Sequence, residues 1–273
     1  MSIKTILLHL NDDSHNNGAI DAALGLAVEN GAHVSALYTS ARTIIPASYM
    51  GYVPPEMIER SRQLEAEKSS AAKARLEELA AKVGCSVEVF IEEGYAPDLL
   101  NNHALAADIV VLGRSDPDTD SGGQLRHIAE EIVVSSPRPV LVIPNMRQET
   151  FGKRILVGWN NSRESSRAIH EAMPFLEKAD MVTLLQVNST EDENFETRQI
   201  LSHLARHGVK AEFKSGYWPD IDVGDAMLGA LVDYSCDMLV MGAYGRSRIR
   251  EMILGGATRT VLAHMTAPTL FAH

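Results

Sequence analysis

The chain repeats itself, and the repeat limits what it can fold into. The run from Asp108 to Gly113 (DIVVLG) matches the run from Asp237 to Gly242 (DMLVMG), and Ser136 to Ile143 (SPRPVLVI) matches Met265 to Ala272 (MTAPTLFA). From Gly113 to Pro139 is 26 positions, as it is from Gly242 to Pro268, so the two segments align without a gap. The beginnings match too. Ile3 to Leu10 ends at Asn11 as Arg154 to Trp159 ends at Asn160, each an apolar run closing on a polar turn before an alanine-rich amphipathic stretch. A duplicated unit must build the same supersecondary plan twice.

That plan is an alternation. Short apolar runs near 3–10, 32–39, 86–91, 108–113 and 139–144 in the first half, and near 154–159, 181–188, 209–214, 237–242 and 268–272 in the second, are separated by helical patterns. Runs without polar alternation suit strands buried on both faces, and strands alternating with helices give right-handed crossovers and a parallel sheet. The expectation is an α/β protein of two tandem five-stranded domains, at residues 1–146 and 153–273, joined by a short linker. The helix from about Pro55 to Val83 is longer than its counterpart near 194–207, and its many charges read as a solvated face. The stretch from Thr43 to Pro55 has no counterpart in the second half and reads as a packed loop, with a lid or partner surface as the alternative.

The halves part company in one loop. After the apolar run 238–241 come Gly242, Gly245, Gly255 and Gly256, with Arg246, Arg248, Arg250 and Arg259 in or beside them. Glycine lets backbone N–H groups face an anion without a Cβ in the way, and the start of the following helix adds partial positive charge, so this layout suits a phosphate. The aligned N-terminal loop keeps Gly113 but has Asp116, Arg126 and His127 at the other three positions, and Asp118, Asp120 and Glu130 leave it acidic. Like charges a few Å apart repel by about 1 kcal/mol even in water, so that loop reads as a degenerate site.

The spacing Gly-x2-Gly-x9-Gly, together with the strand and turn from Ile155 to Ser162, resembles the ATP-binding branch of the universal stress protein family, over nearly the whole chain and twice. The resemblance implies a Rossmann-like fold of the adenine nucleotide alpha hydrolase type with strand order 3-2-1-4-5. It implies ATP, with or without Mg, held in the C-terminal half by Gly242, Gly245, Gly255 and Gly256, with Ala257 and Thr258 in the helix that follows, Arg246 supplying charge, and Asn160 and Val187 near the nucleoside. The sequence departs from the family pattern twice. Gly256 stands where Ser or Thr is usual, removing a hydroxyl from the phosphates, and Asn160 stands where the family has Asp. The resemblance further implies pairing of the last strands, here an internal pseudo-dimer of the two halves, with a homodimer and a downstream protein partner as further expectations.

Other function classes fit poorly. A net charge of −11 and a pI near 5.4 disfavour a general nucleic-acid surface. No run reaches the ~18 apolar residues of a membrane span, and Cys85 and Cys236 stand alone without a CxxC, as reduced thiols of a cytoplasmic protein do. No metal site is expected: Asp116, Asp118 and Asp120 lack the downstream turn glycine and glutamate of a calcium loop, and His203 and His207, four apart on a helix, lack a visible third ligand. No nucleophile elbow or Walker lysine is present, and the resemblance implies a non-catalytic nucleotide-responsive stress module. A slow ATPase in the same pocket and a nucleotide-independent structural or small-molecule-binding protein are the alternatives.

Overall fold

The computed structural model describes residues 2–11, 17–40, 54–114, 122–145, 150–189, 194–243 and 256–273. The N-terminal half runs β1 (Thr5–Leu10), α1 (Asn17–Asn30), β2 (His33–Ser40), α2 (Pro55–Val83), β3 (Val87–Glu93), α3 (Ala96–Ala104), β4 (Ile109–Gly113), α4 (Gly122–Ser135) and β5 (Val140–Ile143). The C-terminal half repeats it: β6 (Arg154–Gly158), α5 (Arg163–Leu176), β7 (Met181–Val187), α6 (Phe195–Arg206), β8 (Ala211–Gly216), α7 (Val223–Asp233), β9 (Met238–Gly242), α8 (Gly256–His264) and β10 (Thr269–Ala272). Each expected strand forms close to its expected bounds. The proline-rich insertion falls mostly in 41–53, outside the described residues.

The strands make one ten-stranded sheet in the order β3-β2-β1-β4-β5-β10-β9-β6-β7-β8. Each half has the 3-2-1-4-5 order, and all neighbours are parallel except β5 and β10, which pair antiparallel with Val142 opposite Thr269 and Leu141 opposite Leu270.

Helices cover both faces, which is why the strands carry apolar residues without alternation. Along β1, Ile6, Leu8 and Leu10 enter one core layer with Leu24 of α1, Leu76 of α2, Ile169 of α5 and Leu204 of α6. Leu7 enters the other, with Leu100 of α3, Ile132 of α4, Leu231 of α7 and Leu262 of α8. Full burial of such a side chain contributes roughly 1.5–3 kcal/mol, so the two layers rather than helix propensity hold the elements together.

Local signals set the helix ends. Proline is tolerated in the first turn, and α2 starts at Pro55 and stops at Gly84, whose φ of +68° permits the left-handed turn. Ser162 and Ser165 cap α5 reciprocally, Asn194 caps α6 through Thr197 N, and Asp222 caps α7 through Gly224 N.

The repeat also survives in side-chain anchors. Asp108 Oδ2 accepts from the backbone of Lys4 at 2.7 Å and Thr5 at 2.9 Å. Its counterpart Asp237 accepts from the backbone of Gly152, Lys153 and Arg154 at 3.0, 3.1 and 3.0 Å. In each half the carboxylate ahead of the fourth strand ties down the start of the first.

The halves meet beyond β5 and β10 as well. Arg114 donates to the carbonyls of Met265, at 3.0 Å, and Ala263 at the end of α8. On the opposite face, Lys178 after α5 reaches Asn30 Oδ1 at 2.9 Å and Glu29 Oε1 at 3.1 Å. These residues border a cavity of about 560 Å³ between α1 and α5 whose walls include Phe151, Phe175 and Lys153.

Candidate functional site

In an open parallel sheet, ligands bind beyond the carboxyl ends of the strands where the connection direction reverses. In the C-terminal half that point lies between β6 and β9, which pair directly, because the chain leaves β6 for β7 on one side and β9 for β10 on the other. The turn after β6, the end of β9 and the start of α8 therefore lie at the carboxyl end of the sheet, about this switch point.

The turn after β6 is built by three residues. Trp159 is buried and its Nε1 donates to Thr197 Oγ1 at 3.1 Å, fastening the turn to the first turn of α6. Asn160 is exposed, and its Oδ1 accepts from Ser162 N at 3.2 Å, which shapes the entry to α5. Asn161 has a φ of +57°, a conformation Asn tolerates better than most residues. Its Oδ1 is shielded from solvent and has no hydrogen-bond partner among the described residues. A buried carbonyl oxygen left unpaired costs on the order of 1–3 kcal/mol, so such an atom calls for a donor.

Gly242 closes β9 under tight constraint. A Cβ there would stand 2.6 Å from the carbonyl carbon of Glu164 and 2.8 Å from Ser165 N, inside the backbone of the first turn of α5. Its glycine is accordingly required by the close approach of strand and helix, whatever occupies the crevice.

The start of α8 brings in a residue the sequence did not single out. α8 opens at Gly256, which is exposed; Ala257 is half-buried and Thr258 is buried. α7 packs so closely on it that a Cβ on Gly224 would lie 2.7 Å from Thr260 Cβ and 2.8 Å from the Ala257 carbonyl oxygen. The capping carboxylate Asp222 is held between the two helix starts, with Oδ1 on Gly224 N at 2.8 Å and Oδ2 3.4 Å from the place a Cβ on Gly256 would occupy. The carboxylate puts negative charge at the helix start, the point the glycine pattern suggests for phosphate.

Val187 is the last residue of β7, half-buried against the core layer that holds Met227 and Met241. Beside it Asn188, with a φ of +57°, accepts from Trp218 N at 2.9 Å, and the Trp218 ring lies so close over Gly216 that a Cβ there would be 2.0 Å from it. Asn160, Val187, Gly242, Gly256, Ala257 and Thr258 thus sit at or near the carboxyl ends of β6, β7 and β9 and the start of α8. Gly245, Arg246 and Gly255 fall in 244–255, outside the described residues, as does most of the acidic N-terminal loop, 115–121.

The corresponding end of the N-terminal half differs inside the fold as well. By the repeat, His9 on β1 stands where Gly158 stands on β6. His9 is buried, its Nε2 3.0 Å from Thr39 Oγ1, and burial lowers its pKa from 6.5 to about 4, so the ring is neutral at pH 7. At Gly158 a Cβ would meet Met227 Cε at 3.0 Å. One half fills this position with an imidazole and the other with a methionine from α7. A single polar residue in an apolar run was the available signal for His9.

Burial raises the thiol pKa of Cys236 to about 11 and moves that of Cys85 upward, so both are thiols rather than nucleophilic thiolates at pH 7. Among the described residues no helix is long and apolar enough to cross a membrane.

The chain matches the family profile described as Universal stress protein family over residues 2–144 and 221–273. It is similar to a universal stress protein of Synechocystis sp., 27% identical over 192 residues, which are 68% of this chain and 64% of that protein, so the likeness spans less than two thirds of the relative's length. Among solved structures, a universal stress protein from Archaeoglobus fulgidus superposes with a TM-score of 0.70 at 16% identity, covering 98% of this chain and 97% of that one. A putative universal stress protein from Pseudomonas aeruginosa superposes with a TM-score of 0.62 at 15% identity, covering 98% and 92%. At these identities the likeness establishes the fold.

Proposed function

The chain belongs to the universal stress protein family, and on that premise we propose that it binds one adenine nucleotide, ATP, in the crevice between β6 and β9 and acts as a non-catalytic, nucleotide-responsive module. The observation that carries this reading is the unpaired, buried Asn161 Oδ1 in the turn after β6. It lies at the switch point of a half whose next loop bears four glycines and a positive charge balance. In this reading Asn160 and Val187 border the nucleoside and Asn161 accepts a hydrogen bond from it. Gly242, Gly245, Gly255, Gly256, Ala257 and Thr258 shape the phosphate pocket, and Arg246 offsets phosphate charge. Asp222 opposes bare triphosphate and favours its magnesium complex.

Two tandem domains at 1–146 and 153–273, joined across β5 and β10 as an internal pseudo-dimer in a cytoplasmic protein, complete the proposal. The antiparallel pairing of Leu141 with Leu270 supports it.

Turnover is not the proposed task. Efficient phosphoryl transfer needs a positioned metal, a base or oriented acceptor, and cations on the developing charge. Asn160 is a neutral amide and supplies no base.

Calorimetry of the whole chain with MgATP tests the reading. We expect one nucleotide per chain, lost on Gly245→Val. Absence of binding would move the protein to the nucleotide-independent class, and hydrolysis at the ~1–100 per second of kinases would make it an enzyme.

A further inference from the structure

The two halves can be compared at the amino ends of their first strands. Lys4 and Lys153 are equivalent: each directly precedes the first strand of its half, and the backbone N–H of each donates to the carboxylate that ties that strand down, Asp108 or Asp237. The side chains then diverge. Lys4 Nζ donates to the Asn30 carbonyl at 2.8 Å, closing the end of α1. Lys153 Nζ has no partner among the described residues, and Lys153 borders the cavity of about 560 Å³ between α1 and α5.

We propose that this cavity is a ligand site for one small carboxylate with an apolar body, bound with its head group on Lys153 and its body against Phe151, Phe175 and Leu26.

The walls are graded in polarity. Ile3, Leu26 and Phe175 are buried and Phe151 is half-buried, whereas Gly25, Lys153 and Lys178 are exposed. An apolar inner wall with a charged, open rim suits an amphipathic molecule inserted body first, and the volume falls within the ~300–1,000 Å³ of small-molecule sites.

The charges select the head group. Lys178 is paired with Glu29 at 3.1 Å and Asn30 at 2.9 Å, and Asp21 already has a partner. The ammonium left to receive an anion is that of Lys153, and a carboxylate forms a charge-assisted hydrogen bond with it. An amine would meet a like charge there.

Two residues that run against helix propensity line this space. Gly25 lies inside α1, where glycine is among the least favourable residues, and packing does not require it, since a Cβ would meet nothing within 4 Å. Pro174 lies inside α5, where it cannot donate to the helix ladder. Gly25 leaves open the room a side chain would fill, and Pro174 adds an apolar ring to the wall.

The segment carrying Phe151 and Lys153 is fixed in advance. Gly152 has a φ of +85°, and Gly152 N and Lys153 N donate to Asp237 at 3.0 and 3.1 Å. A wall already held in place loses little freedom on binding. The site is separate from the proposed nucleotide site, because Lys153 precedes β6 and the crevice lies at the carboxyl end of that strand.

The test follows displacement of the fluorescent anion 1-anilinonaphthalene-8-sulfonate from the full-length chain by octanoate, with and without MgATP. One octanoate per chain is expected, equally in both conditions, with octylammonium at least tenfold weaker. Lys153→Met should weaken octanoate about tenfold and remove its advantage over octylammonium. Gly25→Leu should raise the melting temperature through better helix propensity and yet weaken octanoate at least tenfold by filling the cavity, a combination that separates loss of the site from loss of the fold. Octanoate should raise the melting temperature of the native chain and not that of Gly25→Leu. Equal octanoate affinity in the native, Lys153→Met and Gly25→Leu chains, equal binding of octylammonium, or displacement abolished by MgATP would overturn the assignment.

Discussion

His9 makes a quantitative prediction about acid stability. The imidazole is buried at the carboxyl end of β1, and burial lowers its pKa from 6.5 to about 4. The unfolded chain, with an ordinary histidine, takes up the proton as pH falls below ~6.5, while the folded chain does not until near pH 4. Stability rises with pH wherever the unfolded state binds more protons, so the direction is fixed. The His9 contribution is fully present above the unfolded pKa and is lost progressively as pH falls toward the folded one. A shift from 6.5 to about 4 corresponds, at ~1.36 kcal/mol per pH unit, to about 3 kcal/mol of pH-dependent stability between those limits. That is a large share of the ~5–15 kcal/mol that holds a typical domain. The assay is urea unfolding at intervals from pH 7.5 to 4 on the native chain and on His9→Gln, which keeps a hydrogen-bonding side chain but does not titrate. Carboxylates and other histidines add a common background to both proteins, so the difference between the two curves isolates His9. The native chain should lose about 3 kcal/mol more than the variant over this range. Parallel curves would refute the reasoning, and would mean that the proton enters the fold without opening it.

Two further perturbations test the crevice. Gly242→Ala should destabilise the chain by about 1–3 kcal/mol, because the added methyl meets the α5 backbone, whereas Gly229→Ala, inside α7 with nothing within 4 Å of the new Cβ, should stabilise by about 0.4–1 kcal/mol; thermal melts of both variants check the opposite signs. Asp222→Asn preserves a good helix cap while removing a unit charge beside Gly256, so in the absence of magnesium it should tighten ATP binding by about 1 kcal/mol, roughly fivefold. Unchanged affinity measured by calorimetry would place the phosphates away from the start of α8.

Much of this architecture was present in the order of residues alone. A strand covered by helices on both faces has to be apolar at successive positions, and runs such as Ile109 to Leu112 and Met238 to Met241 satisfy that requirement wherever they are placed. The gapless match of residues 108–143 with 237–272 required one plan repeated, and Pro55 and Gly84 bracket α2 through backbone geometry that belongs to those residues themselves. The spacing of Gly245, Gly255 and Gly256 after β9 is likewise visible in the sequence, whereas the need for glycine at Gly242 comes from its close approach to α5.

What tertiary structure decided is every contact between residues that local pattern cannot relate. Asp222 reaches the start of α8 only because Gly224 lets α7 pack within van der Waals range of Thr260. Asn161 Oδ1 is cut off from water, with no hydrogen-bond partner among the described residues, only because of how the turn after β6 packs. His170 is 33 positions from His203, and nothing in either segment announces the other; the angle at which α5 and α6 lie on the sheet brings their rings together. Periodicity tells which face of a helix is buried, but not which residue of another helix will stand opposite it. That choice is made by side-chain packing between elements, and the chemistry of a site depends on it.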